Sequence, residues 1–274
     1  MKDIESRANP LFRQWLKQVA NAGRAGHPVW LEGPHLCQSW LQNNRPVSWL
    51  LMDRTCFEDP EILSIRDQVR SDKWVLLAPD LFKALSDVPS NQGVMVVGDP
   101  PVQSELAEIG MDGGSVVILD GIQDPGNVGS ILRTCAAIGV KTVLASAGTA
   151  ACWSPKVLRS AQGAHAGLNI FDRFDVMTWL KSYRQRSDRL IVIATTLEQS
   201  NHLYTTHLPE CAIWMFGSEG QGLDPRLLAM ADLRIRIDHD QQFVESLNVA
   251  TATALCLFEQ ARQTDIRQPN VFAQ

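Results

Sequence analysis

The spacing of apolar residues predicts a small α/β domain in residues 1–97. Four residues at helical spacing indicate an amphipathic first helix: Leu11, Trp15, Leu16 and Val19. Short apolar runs predict strands at Pro28-Val-Trp-Leu, Ser48-Trp-Leu-Leu-Met, Trp74-Val-Leu-Leu and Gly93-Val-Met-Val-Val. Turn residues followed by helical spacing predict further helices after Gly33-Pro-His and at Pro79-Asp-Leu-Phe-Lys-Ala-Leu. Together these elements indicate an α/β sandwich.

A stricter alternation of strands and helices follows in residues 114–264. The continuous apolar run Val116-Val-Ile-Leu is typical of a strand that is buried on both faces. Further strands are predicted at 141–145, 190–195, 212–216 and 233–237. Helices are predicted at 128–138, from Ser154-Pro155 onward, and at 247–262. This alternation predicts an α/β fold with a parallel sheet that helices cover on both sides.

Two clusters of turn residues separate these parts. Gly98-Asp-Pro-Pro and Met111-Asp-Gly-Gly place a linker at 98–113. We therefore predict an accessory domain at 1–97, a second domain at 114–264 and a tail at 265–274.

Composition narrows the possible classes of protein. Apolar residues make up 45% of the chain, enough for a full core, and no apolar run is long enough to span a bilayer. The charged start, Met1-Lys-Asp-Ile-Glu-Ser-Arg, does not resemble a signal peptide, so we expect a cytoplasmic protein. None of the six cysteines forms a C-x-x-C pair, so we expect buried thiols and no metal site.

Charge gives little support for a nucleic-acid partner. The net charge is −5. Residues 1–97 are balanced, with 11 basic and 11 acidic side chains, whereas the rest of the chain is acidic. Any RNA contact must therefore use local basic patches.

Three segments place polar residues just beyond predicted strand ends, where open parallel sheets bind ligands. The first runs from Leu119 to Thr134 and contains Asp124-Pro-Gly-Asn, in which Asn127 suits the N-cap of the next helix. Arg133 lies further along that helix. Taken alone, this segment also fits an ordinary capped turn with a surface arginine.

The second segment, Phe216-Gly-Ser-Glu-Gly-Gln-Gly, is a glycine-rich loop that contains the lone carboxylate of Glu219. The third, Ser246-Leu-Asn-Val-Ala-Thr-Ala, opens a helix of small residues that Ser246 could cap, with Asn248 in its first turn. A turn between elements and a buried terminal helix are the ordinary alternatives.

The three segments in this order resemble the signature motifs of the SpoU/TrmH family of RNA 2′-O-ribose methyltransferases, in the SPOUT superfamily. Asn127 and Arg133 match the first motif, and Ser246, Leu247 and Asn248 match the third. The second motif is matched by Gly217, Glu219, Gly220 and Gly222. The resemblance covers residues 114–262, and residues 1–97 are more weakly similar to the family's RNA-binding accessory domain.

This resemblance implies several properties that residue patterns alone do not. It implies a deep C-terminal trefoil knot, whereas general topology rules favour an unknotted doubly wound sheet. It implies a homodimer, and S-adenosylmethionine as the cofactor, with S-adenosylhomocysteine as the product. By position, the cofactor-binding residues are Thr195, Thr196, Gly217, Gly220, Gly222, Ile237 and Leu247.

The resemblance also implies catalytic residues, with Arg133 at the centre. A guanidinium is effectively always charged, so we expect Arg133 to clamp the RNA phosphate and orient the ribose hydroxyl rather than act as the base. Asn127 and Ser246 are expected to orient Arg133 or the ribose, and Glu219 and Asn248 to brace the loops.

One stretch departs from the family pattern. The family usually has Ile-Pro-Met and a glycine-containing linker before the third motif, but this chain has Ile237-Asp-His-Asp-Gln-Gln-Phe-Val-Glu. His239 and Asp240 could touch the cofactor there, although we expect solvated loop residues.

Basic residues in two regions are candidate RNA contacts. The first region is the first helix and its flanks, which hold Arg7, Arg13, Lys17 and Arg24. A face that contacts RNA and a face that is merely solvated are equal alternatives for these residues. Lys156 and Arg159 lie after Ser154-Pro155. The five tryptophans before residue 75 are expected to pack in the core rather than stack on bases.

These observations predict methyl transfer from S-adenosylmethionine to a ribose 2′-hydroxyl of RNA, with rRNA preferred over tRNA. The alternative is a knotted RNA-binding or ribosome-assembly protein that binds the cofactor without catalysis. A nucleotide-dependent oxidoreductase is excluded because the loop after Leu119 lacks the G-x-G-x-x-G spacing.

Overall fold

The computed structural model describes residues 1–88, 92–101, 114–240 and 242–265. Residues 102–113 of the predicted linker and 266–274 of the predicted tail lie outside the described residues. The described chain forms two compact units. One contains residues 1–101 and the segment Trp153–Ala166, and the other contains 114–152 and the residues from 167 onward.

The first unit is built on a mixed five-stranded sheet in the order β1-β4-β3-β5-β2. Neighbours β1, β4 and β3 are parallel, and β5 runs antiparallel to both β3 and β2. The strands are β1 (Lys2–Ile4), β2 (Val29–Glu32), β3 (Trp49–Asp53), β4 (Trp74–Leu77) and β5 (Val94–Gly98). Of these, β1 was not predicted.

Helices cover this sheet and complete the predicted sandwich. They are α1 (Pro10–Val19), α2 (Pro34–Gln42), α3 (Pro60–Arg66) and α4 (Pro79–Leu85). One core cluster joins α1 and α4 to the sheet through residues such as Phe12, Trp15 and Phe82. On the other side, α2 contacts α3 and β5. Only α3 was not predicted.

The segment Trp153–Ala166 belongs to the first unit, although the described residues before and after it in the chain, 114–152 and those from 167 onward, belong to the second. It contains helix α6 (Pro155–Ala161), which packs against β2. Arg45 donates two hydrogen bonds to the carbonyl oxygen of Ala166, at 2.7 and 3.0 Å. The chain therefore passes from the second unit to the first and back.

The second unit is built on a seven-stranded sheet in the order β10-β12-β9-β11-β6-β7-β8, in which every neighbouring pair is parallel. The strands are β6 (Val116–Asp120), β7 (Thr142–Ser146), β8 (Asn169–Phe174), β9 (Ile191–Thr195), β10 (Asn201–His202), β11 (Ala212–Gly217) and β12 (Leu233–Arg236). The predicted parallel sheet is confirmed, although β8 and β10 were not foreseen.

Helices cover both faces of this sheet, as predicted. They are α5 (Pro125–Ile138), α7 (Val176–Tyr183), α8 (Pro225–Leu228) and α9 (Val249–Asp265), of which α7 was not predicted. Trp179 of α7 and Leu227 of α8 pack against Ile118 and Met215 on one face. On the other face, Trp214 donates a 2.9 Å hydrogen bond to Gln260 of α9, and α9 packs along α5.

The capping predictions for α5 and α9 are wrong. Helix α5 begins at Pro125, and its cap is Asp124, whose carboxylate accepts the backbone N–H of Asn127 at 2.9 Å. Asn127 is thus inside the first turn. Helix α9 begins at Val249, and its cap is Asn248 rather than Ser246. In both cases two polar residues lie within three positions of each other, Asp124 and Asn127 or Ser246 and Asn248, and local propensity does not decide which of them caps the helix.

Expectations about buried side chains hold in part. Trp15, Trp30 and Trp40 are buried in the first unit, whereas Trp49 and Trp74 are half-buried. All six cysteines lie in the described part of the chain and none forms a disulfide; four are buried, and Cys56 and Cys211 are half-buried. No described helix is long and apolar enough to cross a membrane, and the described residues contain no cluster suited to a metal ion.

Candidate functional site

The site lies at the carboxyl edge of the seven-stranded sheet. Strands β6 and β11 are parallel neighbours in which Gly217 pairs with Asp120, so the loops that follow them meet at this edge. This register brings the first and second sequence motifs together.

A hydrogen-bonded network connects all three motifs. Asn248 Nδ2 donates to Asn127 Oδ1 at 2.9 Å and lies 3.5 Å from Glu219 Oε1. Asn127 Nδ2 in turn donates to Glu219 Oε1. Each amide thus presents its oxygen to one neighbour and its nitrogen to another, so the network has one consistent orientation. The predicted residues Asn127, Glu219 and Asn248 form one cluster.

Asn248 also fixes the start of α9. Its Oδ1 accepts the backbone N–H groups of Ala250 at 3.0 Å and Thr251 at 3.2 Å, as an N-cap does. The same side chain therefore caps α9 through its oxygen and reaches Asn127 through its nitrogen.

The glycine-rich loop packs against itself where it leaves β11. The N–H of Gly222 donates to Ser218 O at 2.9 Å. A Cβ on Gly217 would lie 2.2 Å from the carbonyl carbon of Gly222, closer than real Cβ contacts come. Gly222 has φ of +67°, the left-handed region that favours glycine. Gly217 and Gly222 are therefore required by the shape of the loop.

Arg133 is exposed on α5. Within the described part of the chain, its guanidinium has neither an ion pair nor a hydrogen bond. It lies six residues beyond Asn127, about 9 Å along a helix that rises 1.5 Å per residue. The structure thus presents a free cation on the helix that begins at the polar network.

A cleft beside the network collects most of the predicted cofactor residues. It is lined by Thr195, Thr196, Leu197, Ile235, Arg236, Ile237, His239, Ser246, Leu247 and Ala252. Thr195, Thr196, Ile237 and Leu247 were predicted for the cofactor, and Ser246 for catalysis. Gly220 and Gly222 instead line a second cleft, together with Glu219.

The chemistry of the first cleft fits an adenosine-bearing cofactor. Its walls combine aliphatic side chains with threonine and serine hydroxyls and with main chain at the ends of β9 and β12. Apolar walls with a few placed polar groups are what an adenine ring and a sulfonium side chain require.

The atypical segment before the third motif is held by its own side chains. His239 lines the cleft, and its ring nitrogens lie 3.0 Å from Ile237 O and 3.4 Å from Glu245 O. Asp240 accepts the N–H of Gln242 at 2.9 Å and is exposed. His239, which we expected to be a solvated loop residue, therefore forms part of the cleft.

The four predicted RNA-binding residues all belong to the first unit. Arg7 lies 3.9 Å from Asp80, and Arg159 forms a 2.9 Å ion pair with Asp87. Lys17 and Lys156 are exposed, without side-chain partners among the described residues.

Residues 114–258 match the SpoU rRNA Methylase family. The chain belongs to this family. The predicted membership is thus confirmed for the part of the chain that holds the polar network and both clefts.

Relatives extend the similarity of this SpoU family protein to nearly its whole length. The 23S rRNA (guanosine(2553)-2′-O)-methyltransferase RlmP of Bacillus subtilis is 30% identical over 261 residues, which cover 94% of this chain and 98% of that protein. A structure of a TrmH family RNA methyltransferase from Porphyromonas gingivalis matches with a TM-score of 0.75 and 29% identity, over 90% of this chain and 97% of that one.

The SpoU methyltransferase AviRb from Streptomyces viridochromogenes, solved in complex with AdoMet, matches with a TM-score of 0.80 and 23% identity. That match covers 93% of this chain and 98% of AviRb. The predicted fold class is confirmed by this likeness, with a parallel α/β sheet that follows a smaller α/β unit.

Proposed function

We propose that this protein transfers a methyl group from S-adenosylmethionine to a ribose 2′-hydroxyl of rRNA. The class of enzyme, an RNA methyltransferase, follows from membership of the SpoU family. The observation that carries the proposal is the network of Asn127, Glu219 and Asn248, which joins the three motifs beside an apolar cleft. Because RlmP is named for a guanosine of 23S rRNA, such a guanosine is the proposed acceptor.

The cofactor supplies a methyl group that is already electrophilic on its sulfonium. Thr195, Thr196, Ile237 and Leu247 would hold it in the first cleft. Gly217 contributes indirectly, because it allows the loop after β11 to fold closely. The protein's main task is then to align the ribose oxygen with the methyl group and to provide a route for its proton.

Arg133 is the proposed contact to the acceptor RNA. Its guanidinium stays protonated at physiological pH, so it would bind the phosphate and orient the 2′-hydroxyl, and the phosphate or a water would take the proton. Ser246, exposed at the cleft, would contact the ribose. Asn127 has both ends of its amide engaged by Glu219 and Asn248, so we assign it to bracing the loops together with them.

RNA docking would use local basic groups of the first unit. On α1, Arg13 and Lys17 are four residues apart and exposed, so they share one helix face. Arg7 and Lys156 extend the basic set, whereas the carboxylate of Asp87 partly neutralises Arg159. Phosphate contacts of this kind position RNA without reading its sequence.

We propose a homodimer formed through the exposed faces of α5 and α9. Phe258 is 52% exposed in the single chain, and Thr251, Leu255 and Arg262 lie on the same face of α9. Arg133 is exposed on α5, which packs beside α9, so a partner there would border the site. Phe258→Glu should then convert a dimer to a monomer in light scattering.

We also propose that the second unit contains the family's trefoil knot and that the protein is located in the cytoplasm.

Ribose-methylation mapping tests the proposed reaction. Ribosomal RNA from cells with and without this gene should differ at one 2′-O-methyl position, and the purified protein should restore that methyl group in the presence of S-adenosylmethionine. Binding of the cofactor without any lost methylation would instead favour an assembly role without catalysis.

A further inference from the structure

Three polar side chains form a clamp at the end of β12. His202 and Arg236 are register partners on the parallel strands β10 and β12. Asp238 lies two positions after Arg236, the spacing that returns a side chain to the same face of an extended chain. Asp238 Oδ2 contacts His202 Nδ1, and Asp238 Oδ1 accepts Arg236 Nε at 3.1 Å. Arg236 also contacts His202 Nε2.

The clamp has one consistent arrangement of hydrogens. A guanidinium only donates, so His202 Nε2 must accept from Arg236. His202 Nδ1 then carries the proton and donates it to the Asp238 carboxylate. These hydrogen bonds, His202 first and then Arg236, hold the pKa of the Asp238 carboxyl below its ordinary value.

The clamp joins two walls of the cofactor cleft. One wall is Thr196 and Leu197, in the loop between β9 and β10, and the other is Ile237, directly after Arg236. Arg236 also donates to the carbonyl oxygen of Ser200, at the end of that loop. Gln199 within the loop has φ of +46°, which residues with a side chain rarely adopt. This loop therefore depends on contacts from outside it.

We propose that Arg236, His202 and Asp238 are positioning residues that hold the cofactor cleft in its binding shape. Asp238 stands where the family usually has the proline of Ile-Pro-Met. A proline stiffens the main chain covalently, and here a side-chain clamp restrains the same segment. The proposal rests on the assignment of this cleft to S-adenosylmethionine.

Matched substitutions test the clamp. Arg236→Met removes all its hydrogen bonds but keeps the aliphatic stem. Asp238→Asn is nearly isosteric, but its amide has only one accepting oxygen. If that oxygen faces His202, the amide nitrogen faces the Arg236 donor. If the oxygen faces Arg236, the amide nitrogen forces His202 Nδ1 to accept, and the proton then moves to Nε2, where it faces Arg236. Arg234→Met is the control, because Arg234 is on the same strand and has no side-chain partner among the described residues.

Two measurements are made on each full-length protein. Calorimetric titration gives the affinities for S-adenosylmethionine and S-adenosylhomocysteine, and hydrogen exchange reports on the amides of residues 196–200. Arg236→Met should weaken both ligands about tenfold, the effect of one charged hydrogen bond, and Asp238→Asn should act in the same direction. In both variants, hydrogen exchange of the amides of residues 196–200 should accelerate relative to the unmodified protein, whereas exchange in the strands of the sheet should not change. Arg234→Met should match the unmodified protein in both measurements.

The outcomes separate the clamp from the proposed function. Unchanged local exchange in Arg236→Met would overturn the clamp, whether or not the affinity fell, because Arg236 also lines the cleft and its loss can remove a direct ligand contact. Acceleration of exchange over the whole unit would overturn the clamp as well. If the unmodified protein bound neither ligand, the proposed function would fail. Exchange in 196–200, compared between Arg236→Met and Arg234→Met, would then still decide whether the clamp exists.

Discussion

Asn248 Nδ2 donates a hydrogen bond to Asn127 Oδ1 over 2.9 Å, although 121 positions separate the two residues in the chain. Asn248 Oδ1 meanwhile caps α9. One amide thus serves both the stability of a helix and the geometry of the site, and these two roles can be separated by substitution.

Asn248→Ala should lower the free energy of unfolding by about 1 kcal/mol, the usual effect of a lost N-cap, and should also reduce methyl transfer. Asn248→Asp keeps a capping oxygen but cannot donate to Asn127, and it places a second carboxylate beside Glu219. It should therefore keep most of the stability and still lose transfer by roughly tenfold or more. Urea unfolding and an RNA methylation assay check both. Full activity in Asn248→Asp would show that the network is not needed.

Arg133→Ala should reduce the rate of transfer by roughly 10²-fold or more, as removal of a charged group from a developing transition state does. The affinity for S-adenosylmethionine should stay within about twofold, because Arg133 does not line the cofactor cleft. The transfer rate of Arg133→Lys should lie between those of the unmodified protein and Arg133→Ala, since an ammonium keeps the charge but cannot bind phosphate in the bidentate manner. A parallel loss of cofactor affinity in titration calorimetry would contradict this role.

Gly217→Ala should destabilise the second unit by about 1–3 kcal/mol, the usual effect of forcing extra atoms into a packed site. The added methyl group would lie 2.2 Å from Gly222. Gly220→Ala is the matched comparison for stability, because a Cβ at Gly220 meets no atom within 4 Å. Thermal unfolding should show a lower midpoint only for the Gly217 variant, and equal midpoints would exclude the close packing.

Asp232 should make stability depend on pH in the acid range. Burial alone would raise the pKa of its carboxyl, but hydrogen bonds from Arg189 and the Val192 N–H, together with the charge of Arg184, lower it below the ordinary value of 3.8. A lowered pKa stabilises the fold above the ordinary value, and that contribution disappears as pH falls through the folded-state pKa.

Asp232→Asn should therefore lower the unfolding free energy by about 1 kcal/mol at pH 7, less than the usual effect of a charged hydrogen bond because solvent screens this partly exposed group. The gap between the variant and the unmodified protein should begin to narrow below about pH 4, where the unfolded aspartate becomes protonated, and should close once the pH has fallen through the lowered folded-state pKa. Urea titrations at pH 7 and in acid measure this gap, and a gap that widened in acid would refute the lowered pKa of Asp232.

Thiol reactivity should separate the cysteines into two groups. Burial raises the pKa of Cys37, Cys135 and Cys256 to about 12 and that of Cys152 well above its ordinary value. Only half-buried Cys56 and Cys211 should react with iodoacetamide at pH 7.5, and all six should react in urea. Peptide mass spectrometry identifies the modified residues. Early labelling of Cys135 would indicate that α5 opens readily.

Much of this protein was determined by its sequence alone. Apolar periodicity predicts most strands and helices because burial of a face is a local property of the chain. The residue types of the three motifs predict a ligand site at the carboxyl edge of a parallel sheet, since strand direction fixes where those loops emerge. Short strands such as β1 and β10, with three and two residues, carry too few residues for a periodic signal.

Other features were decided only by the tertiary structure. The network of Asn127, Glu219 and Asn248 depends on the order and register of β6 and β11, and the clamp of His202 on Arg236 depends on the pairing of β10 with β12. The return of Trp153–Ala166 to the first unit depends likewise on distant contacts. Such contacts join residues far apart in the chain, and their strength comes from geometry that no local pattern encodes.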